Sequence, residues 1–419
     1  MQRRDILKYG ASGALWFSMP SPVLAGTQSL GRVIIIGGGY GGATAAKYLR
    51  MWSRGKIEVI VVEPNANFVS CPVSNLVLSG EKTLADITFS FDLLKQHHGV
   101  QWIQDTVTAI DPDKSEIRLS KGTLSYDKLI VATGVGFMYD GLPMLNSKDA
   151  QQQIPHAWKA GPQTQNLRKQ LEAMPDGGIF TITVPALPYR CPPGPYERAC
   201  QVALYLKNHK PKSKIIVLDA NPAITSKRPL FERAWQDLYP GMIDYLPSSN
   251  LLEVDVATRT VKTDFDTVKS NVLNIIPPQN AGALAVASGL ANVGHRWCEV
   301  DFRTYESKVF PHIHVIGDAV DSGLPKSAHM ATSQAKVCAN ALAFLMSGEA
   351  PDPSPVFANT CYSYVDNKAA IHVTSVYRYD AAENRMKPAE GGGISAHASA
   401  QEFREAQYWA LNIWSDVLS

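Results

Sequence analysis

The sequence predicts an α/β protein of two Rossmann-like dinucleotide-binding units followed by a small α+β C-terminal unit. Three observations predict it. The apolar run Val33 to Ile36 leads into Gly37-x-Gly39-x-x-Gly42 and a helix-forming segment. A second strand–helix–strand pattern starts at Gly178, and the proline-rich stretch Pro351-Asp-Pro-Ser-Pro355 sets off the remainder of the chain.

Four successive apolar residues suit a strand buried on both faces. Gly37 permits a tight turn, Gly39 leaves room for a pyrophosphate, and Gly42 lets the helix pack closely, with its N-terminal N–H groups facing the anion. The next strand, Ile57 to Glu63, ends in a carboxylate about 20 residues on, where an acidic side chain hydrogen-bonds the ribose of an adenine dinucleotide.

Bulk properties exclude several classes. The 419 residues are 45% hydrophobic and 19% charged, an ordinary globular composition for two or three domains. The formal charge of +2 is carried by the first eight residues, where Arg3, Arg4 and Lys8 outweigh Asp5. No net charge is left to recruit nucleic acid or an anionic membrane. No run of about 18 apolar residues is present, so no transmembrane segment is expected. Six cysteines are too few for a disulfide framework in a chain of this length. No metal site is expected.

Residues 1–25 read as an export signal, with a basic start, a modestly apolar stretch and a small-residue site at Val23-Leu24-Ala25. Arg3-Arg4 points to a twin-arginine signal, although Gln2 and Ile6 depart from its commonest form; a Sec signal holding two arginines is the other reading. A folded-protein route carries a cofactor inserted in the cytoplasm, so the expected location is the periplasm.

Beyond Glu63, the loop Phe68 to Asn75 sets Cys71 beside the dinucleotide site, unless it is a buried structural thiol. Strands are expected over 100–105 and 107–111, then over 126–131 ahead of Ala132-Thr133-Gly134, an ending that recurs where flavoproteins leave their first nucleotide unit. Residues 135–160 read as loop, and Thr164 as the cap of a helix to about Met174.

The second unit follows with strand 178–184, helix 196–210 and strand 214–219. In place of a nicotinamide-type glycine fingerprint it carries Pro188-Tyr-Arg-Cys191-Pro-Pro-Gly-Pro-Tyr-Glu197-Arg198. Such a stiff loop lacks the small residues that admit a pyrophosphate, so a cysteine stands where the NAD(P)H site is lost.

A strand over 271–278 returns the chain to the first unit, and strand 312–316 ends in Gly317-Asp318, where flavoproteins contact the ribityl chain. The helix Ser327 to Met346 directs its N-terminus towards that cofactor, with Lys326 and His329 at its start; either alone reads more readily as a solvated surface residue. After the linker, residues 359–364 and strands near 370–379 and 385–388 suggest a small sheet. The last helix, 400–417, aligns Phe403, Ala406, Ala410, Ile413, Trp414 and Val417, a face expected to pack on its own unit.

On these motifs the chain resembles the flavocytochrome c sulfide dehydrogenase flavoprotein family, one of the disulfide oxidoreductase flavoproteins that also include sulfide:quinone oxidoreductases. Gly37 to Gly42, Thr133-Gly134 and Gly317-Asp318 indicate FAD and a two-dinucleotide fold of glutathione-reductase type. The narrower matches are Cys191 to Arg198, Asn359-Thr-Cys361-Tyr-Ser363, and Cys71 with Ser74-Asn75. The resemblance implies a redox disulfide between Cys191 and Cys361 over the flavin and a thioether from Cys71 to the flavin 8α-methyl group. It implies FAD contacts from Gly37, Gly39, Gly42, Glu63, Cys71, Thr133, Gly134, Gly317, Asp318 and Lys326, and no role for Cys200, Cys298 or Cys338. The division it suggests is 26–147 with 276–355 for FAD, 148–275 for a nicotinamide-type unit without its site, and 356–419 for a C-terminal interface unit.

The implied chemistry is attack of hydrosulfide on the disulfide, giving a persulfide and a thiolate, then delivery of two electrons to the flavin. Glu197 is a candidate base, or an acid stabilising its helix dipole. The sequence holds no Cys-x-x-Cys-His, so the haem of a c-type cytochrome acceptor belongs to a partner subunit. Sulfide:quinone oxidoreductase is the alternative, disfavoured by the acidic terminal helix. A non-catalytic flavin-binding partner of a cytochrome is opposed by the paired cysteines, and an NAD(P)H reductase by the proline loop.

Overall fold

A computed structural model describes residues 29–419; the export signal read at 1–25 lies outside the described residues. The first apolar run forms the strand Gly31–Ile36 at the centre of a five-stranded parallel sheet. The spatial order is Ile313–Val315, Lys128–Val131, Gly31–Ile36, Ile57–Val62, Gln101–Ile103. Val33, Ile34 and Ile35 are fully buried. Helices Tyr40–Trp52 and Ala328–Met346 pack along each other beside this sheet.

The second sheet is also parallel, in the order Ile243–Leu246, Lys214–Asp219, Ile179–Val184, Val272–Ile275, and helix Gly194–His209 packs against it. The chain leaves the first sheet after Lys128–Val131 and returns beside that strand with Ile313–Val315. Outgoing Val135–Phe137 and returning Gln279–Ala281 pair antiparallel between the two sheets. Gly136 permits this approach, because a Cβ there would lie 2.6 Å from the Asn280 Oδ1.

Strands Val356–Tyr364, Ala370–Asp380 and Arg385–Ile394 form an antiparallel C-terminal sheet with Cys361 opposite Val373. Ser399 caps the terminal helix Ala400–Leu418, its hydroxyl accepting the Glu402 N–H at 3.1 Å. The expected apolar face exists but serves two neighbours. Ala406 and Ala410 pack with Tyr364 and with Val73, Leu76 and Val77 of the Cys71 loop, whereas Ile413, Val417 and Leu418 pack with Ala43 and Phe68 of the first unit. Each of these last three contributes about 1.5–3 kcal/mol by leaving water.

Several expectations change. The segment 135–160 is not all loop: it holds Val135–Phe137 and a helix, Lys148–Gln153, capped by Ser147. The helix expected to be capped by Thr164 begins at Pro162, and the Thr164 hydroxyl instead accepts the Gly161 N–H at 3.3 Å from within its first turn. The strand expected over 271–278 stops at Ile275, ahead of Pro277 and Pro278, which have no N–H for a ladder. Strand 312–316 shortens to Ile313–Val315, and Gly317, at φ +79°, turns the chain into a short 3₁₀ segment.

Candidate functional site

The glycine turn behaves as its spacing requires. Gly37 has φ +99°, and a Cβ on Gly42 would lie 1.8 Å from the Gly37 carbonyl oxygen. Around Gly39 nothing lies within 4 Å of a built Cβ, and Gly39 starts helix Tyr40–Trp52 with no side-chain cap. Open space in front of bare helix N–H groups is an anion cradle. Glu63 is buried; its Oε2 accepts the Gly38 N–H at 2.7 Å and its Oε1 accepts the Asn65 N–H at 2.9 Å. Gly38 is itself constrained, since a Cβ would meet the Trp102 ring at 2.6 Å.

Gly134 (φ +63°) and Gly317 (φ +79°) both adopt left-handed backbone. The Thr133 hydroxyl is buried with no hydrogen-bond partner. Burial raises the Asp318 carboxyl against the pull of Arg190 and Lys326, and among the described residues its oxygens accept no hydrogen bond. Lys326 is buried rather than solvated: its Nζ donates to the carbonyls of Asp318 and Val320, both at 2.8 Å, and stands 3.7 Å from the Trp297 ring centroid. Burial pulls its pKa down to about 8. An open cradle, an orphaned hydroxyl and an unengaged carboxylate fit a dinucleotide with a polyol chain.

Three distant segments meet beside this cleft. Cys191 has φ +60°; its N–H donates to the Lys326 carbonyl at 2.7 Å, and its carbonyl accepts the Gly194 N–H at 2.8 Å. A Cβ on Gly194 would lie 2.9 Å from the Cys191 Sγ and 2.7 Å from the Trp158 ring. Cys361, on the strand Val356–Tyr364, lies close enough that its charge acts on the Cys191 thiol. All six cysteines are free thiols. Burial pushes both Cys191 and Cys361 up, while Lys227 pulls each down.

Glu197 bridges the segments. Its Oε2 accepts Asn75 Nδ2 at 2.9 Å and its Oε1 accepts the Tyr364 N–H at 2.9 Å. Burial raises its pKa, and these hydrogen bonds oppose the rise. Arg198 Nε donates to Asn75 Oδ1 at 3.1 Å, and its other nitrogens donate to Asn274 Oδ1 and to the carbonyls of His156 and Ala157. Asn75 therefore ties the Cys71 loop to the helix that follows Cys191. Cys71 itself is partly buried, and its carbonyl accepts the Ser74 hydroxyl at 2.6 Å.

In the second unit the strand-end carboxylate is already engaged. Asp219, fully buried at the end of its strand, accepts Tyr196 OH at 2.7 Å, Tyr245 OH at 2.9 Å, and the Asn221 N–H and Nδ2 at 2.9 and 2.7 Å. Four donors leave the carboxylate nothing to offer a ribose.

Comparisons with known proteins agree with this geometry. Residues 31–166 match the family model for pyridine nucleotide-disulphide oxidoreductases. Residues 164–277 match the central domain of the sulfide dehydrogenase (flavocytochrome c) flavoprotein chain, and residues 353–418 the flavin-binding domain of flavocytochrome c sulphide dehydrogenase. Against the sulfide dehydrogenase flavoprotein chain of Chlorobaculum thiosulfatiphilum, 46 residues are 54% identical, covering 11% of this chain and 94% of that sequence. The chain belongs to the flavocytochrome c sulfide dehydrogenase flavoprotein family.

The family is related to sulfide:quinone oxidoreductases. The mitochondrial enzyme of Mus musculus is 26% identical over 341 residues, covering 76% of this chain and 72% of that one. The Aquifex aeolicus sulfide:quinone oxidoreductase structure superposes with a TM-score of 0.75 at 16% identity, covering 92% and 91% of the two chains. The putidaredoxin reductase–putidaredoxin complex gives 0.65 at 16% identity, over 93% and 94%. The fold is therefore that of the two-dinucleotide disulfide oxidoreductases, and the chain is a FAD-dependent oxidoreductase of a sulfide-oxidising family.

Gly37, Gly39, Gly42 and Glu63 gather at one cradle; Thr133, Gly134, Gly317, Asp318 and Lys326 stand where the chain leaves and re-enters the first sheet; Cys191, Glu197 and Cys361 meet beside Asn75. Sequence reasoning missed Gly38, which sits at an unrestricted position of the motif. It also missed Lys227, which no motif marks.

Proposed function

We propose that this chain oxidises sulfide to polysulfide or zero-valent sulfur at a Cys191–Cys361 disulfide and delivers the electrons through FAD to a c-type cytochrome subunit in the periplasm. The observation that carries the reading is the gathering of two cysteines from distant segments around one buried cluster, where Cys361 acts on the Cys191 thiol and Glu197 and Lys227 act on both.

Glycines 37, 39 and 42, Glu63, Thr133, Gly134, Gly317, Asp318 and Lys326 would hold FAD, and Cys71 would tether it by a thioether. Bound there, FAD would supply a two-electron acceptor that can be discharged one electron at a time. Glu197, held above the usual carboxylate range by burial, takes the proton of hydrogen sulfide or returns one to the leaving thiol. Arg198 and Asn75 fix it in place, and the proline loop keeps Cys191 rigid.

The units we assign are 26–147 with 276–355 for FAD, 148–275 as a nicotinamide-type unit without its site, its strand-end carboxylate engaged by Tyr196 and Tyr245, and 356–419 as the interface unit. The twin-arginine reading of residues 1–25 agrees with export of a folded, flavin-loaded chain.

Sulfide:quinone oxidoreduction is the second reading, favoured by the long match to the Mus musculus enzyme. Among the described residues, no helix is long and apolar enough to cross a membrane. The acidic residues of the terminal helix favour the cytochrome reading.

Anaerobic sulfide added to the purified holoprotein should bleach the flavin, and Cys191→Ser or Cys361→Ser should abolish the bleaching; no bleaching in the unmodified chain sinks the proposal. Acid precipitation should leave the yellow colour with the protein and release it from Cys71→Ser. Reoxidation of the bleached protein by a c-type cytochrome, and not by a soluble quinone, separates the two acceptors.

A further inference from the structure

Lys227 immediately precedes helix Arg228–Leu238 in left-handed backbone (φ +54°), and its side chain is buried, with the whole residue 5% exposed. Its ammonium donates to the Cys361 carbonyl at 3.1 Å and to the Ser363 hydroxyl at 2.8 Å. An ammonium has three N–H donors, and among the described residues the third has no partner. The groups that act on it are Cys361 first, then Glu197, Cys191 and Glu402. A cation this buried is costly unless an anion offsets it.

The two thiols are not equivalent. The Cys361 Sγ lies 3.7 Å from Asn359 Oδ1, which in turn accepts the Ser327 hydroxyl at 2.6 Å. Among the described residues no hydrogen bond reaches the Cys191 sulfur, and Arg190 acts on it ahead of Lys227. Glu197 opposes thiolate formation at both.

On the sulfide reading above, we propose that Lys227 is the anion-holding residue of the sulfur site, stabilising Cys361 as the thiolate released when hydrosulfide opens the disulfide and leaving the persulfide on Cys191. The hydrosulfide sulfur forms a bond to the Cys191 sulfur, the Cys191–Cys361 bond breaks, and its electron pair leaves on Cys361. Disulfide plus HS⁻ gives persulfide plus thiolate, with no other oxidant or proton donor required. The better-stabilised thiolate leaves faster, and the Lys227 ammonium, held on the Cys361 carbonyl and on Ser363 two residues along the same strand face, favours the anionic form of Cys361 against its burial. Lys227 acts through Cys361 and is a positioning residue.

In the reduced holoprotein, alkylation of Cys361 by iodoacetamide across pH, read by mass spectrometry, should show a midpoint higher by about one unit or more in Lys227→Met. Lys227→Arg should stay near the unmodified value. Equal midpoints in all three proteins overturn the proposal. A second measurement needs no variant: substoichiometric sulfide followed by alkylation should place the persulfide on Cys191, and a persulfide on Cys361 overturns the assignment. A chain that forms no persulfide at either cysteine refutes the sulfide reaction itself, and the alkylation midpoints still decide the role of Lys227.

Discussion

Glu197 shows how one side chain is assigned by its neighbours. It lies in the first turn of its helix, yet its carboxylate accepts from Asn75 and from the Tyr364 N–H, which aim it towards the Cys71 loop and the Cys361 strand. Burial outweighs those two hydrogen bonds and raises its pKa. As a base it is ionised above that raised value and lost as pH falls through it. The bleaching rate should therefore decline on the acid side; in Glu197→Gln that limb should move up to the pH where hydrogen sulfide itself ionises, with a loss of roughly 100-fold below it. Stopped-flow rates from mildly acid to mildly alkaline pH decide this, and an unmoved limb excludes the role. Cys191 and Glu197 were legible because a cysteine and a carboxylate in a proline-stiffened loop break the pattern around them, whereas Cys361 was legible only through the family resemblance. Lys227 was not, because a lone lysine before a helix looks like surface until the fold shows what surrounds it.

The first strand–turn–helix was the most legible element, since its glycines answer separate geometric demands. A Cβ at Gly42 would collide with backbone, the Gly37 carbonyl oxygen at 1.8 Å, which no rotamer relieves; one at Gly39 meets nothing within 4 Å. Gly42→Ala should therefore lower the melting temperature of the apoprotein by several degrees and also reduce flavin content. Gly39→Ala should leave the apoprotein's melting unchanged while flavin content falls, because the new methyl occupies the space in front of the helix N–H groups. Flavin-to-protein absorbance together with apoprotein melting separates the two effects, and full flavin uptake by Gly39→Ala would contradict the cradle. The terminal helix was legible as a period, with Ala406, Ala410, Ile413 and Val417 on one face. Its partners were not, because a period of about 3.6 residues reports that a face is buried and not what covers it. Segment 135–160 was missed for a related reason: its strand is three residues long and its helix six, too short to set up a period.

At the scale of the whole molecule, the two parallel sheets followed from repeated strand–helix–strand runs, while the seam between them came from non-local contacts. Arg198 and Asn274 hold the carbonyl of His156 within the second unit, and its ring stands 4.0 Å from that of Phe137 in the first unit. His156 Nδ1 accepts the Trp158 N–H at 2.9 Å, so protonation there would break that bond; burial, then Arg198, Arg190 and Lys159, push its pKa down to about 3. His314, in the edge strand of the first sheet, is fully buried, with Nδ1 on the Thr304 carbonyl at 2.9 Å and Nε2 unpartnered; burial lowers its pKa to about 4. Both histidines are thus neutral when folded and free to protonate when unfolded. The stability they contribute is complete above about pH 6.5 and is lost as pH falls through the window down to their folded values. Glu197, Asp219 and Asp318, raised by burial, act with the opposite sign, so the histidine contribution is best read as a difference between proteins. Between about pH 7 and about pH 4.5, denaturant unfolding should show a loss smaller by roughly 2–3 kcal/mol in His314→Asn than in the unmodified chain. An equal loss in both proteins would place the acid sensitivity elsewhere in the molecule.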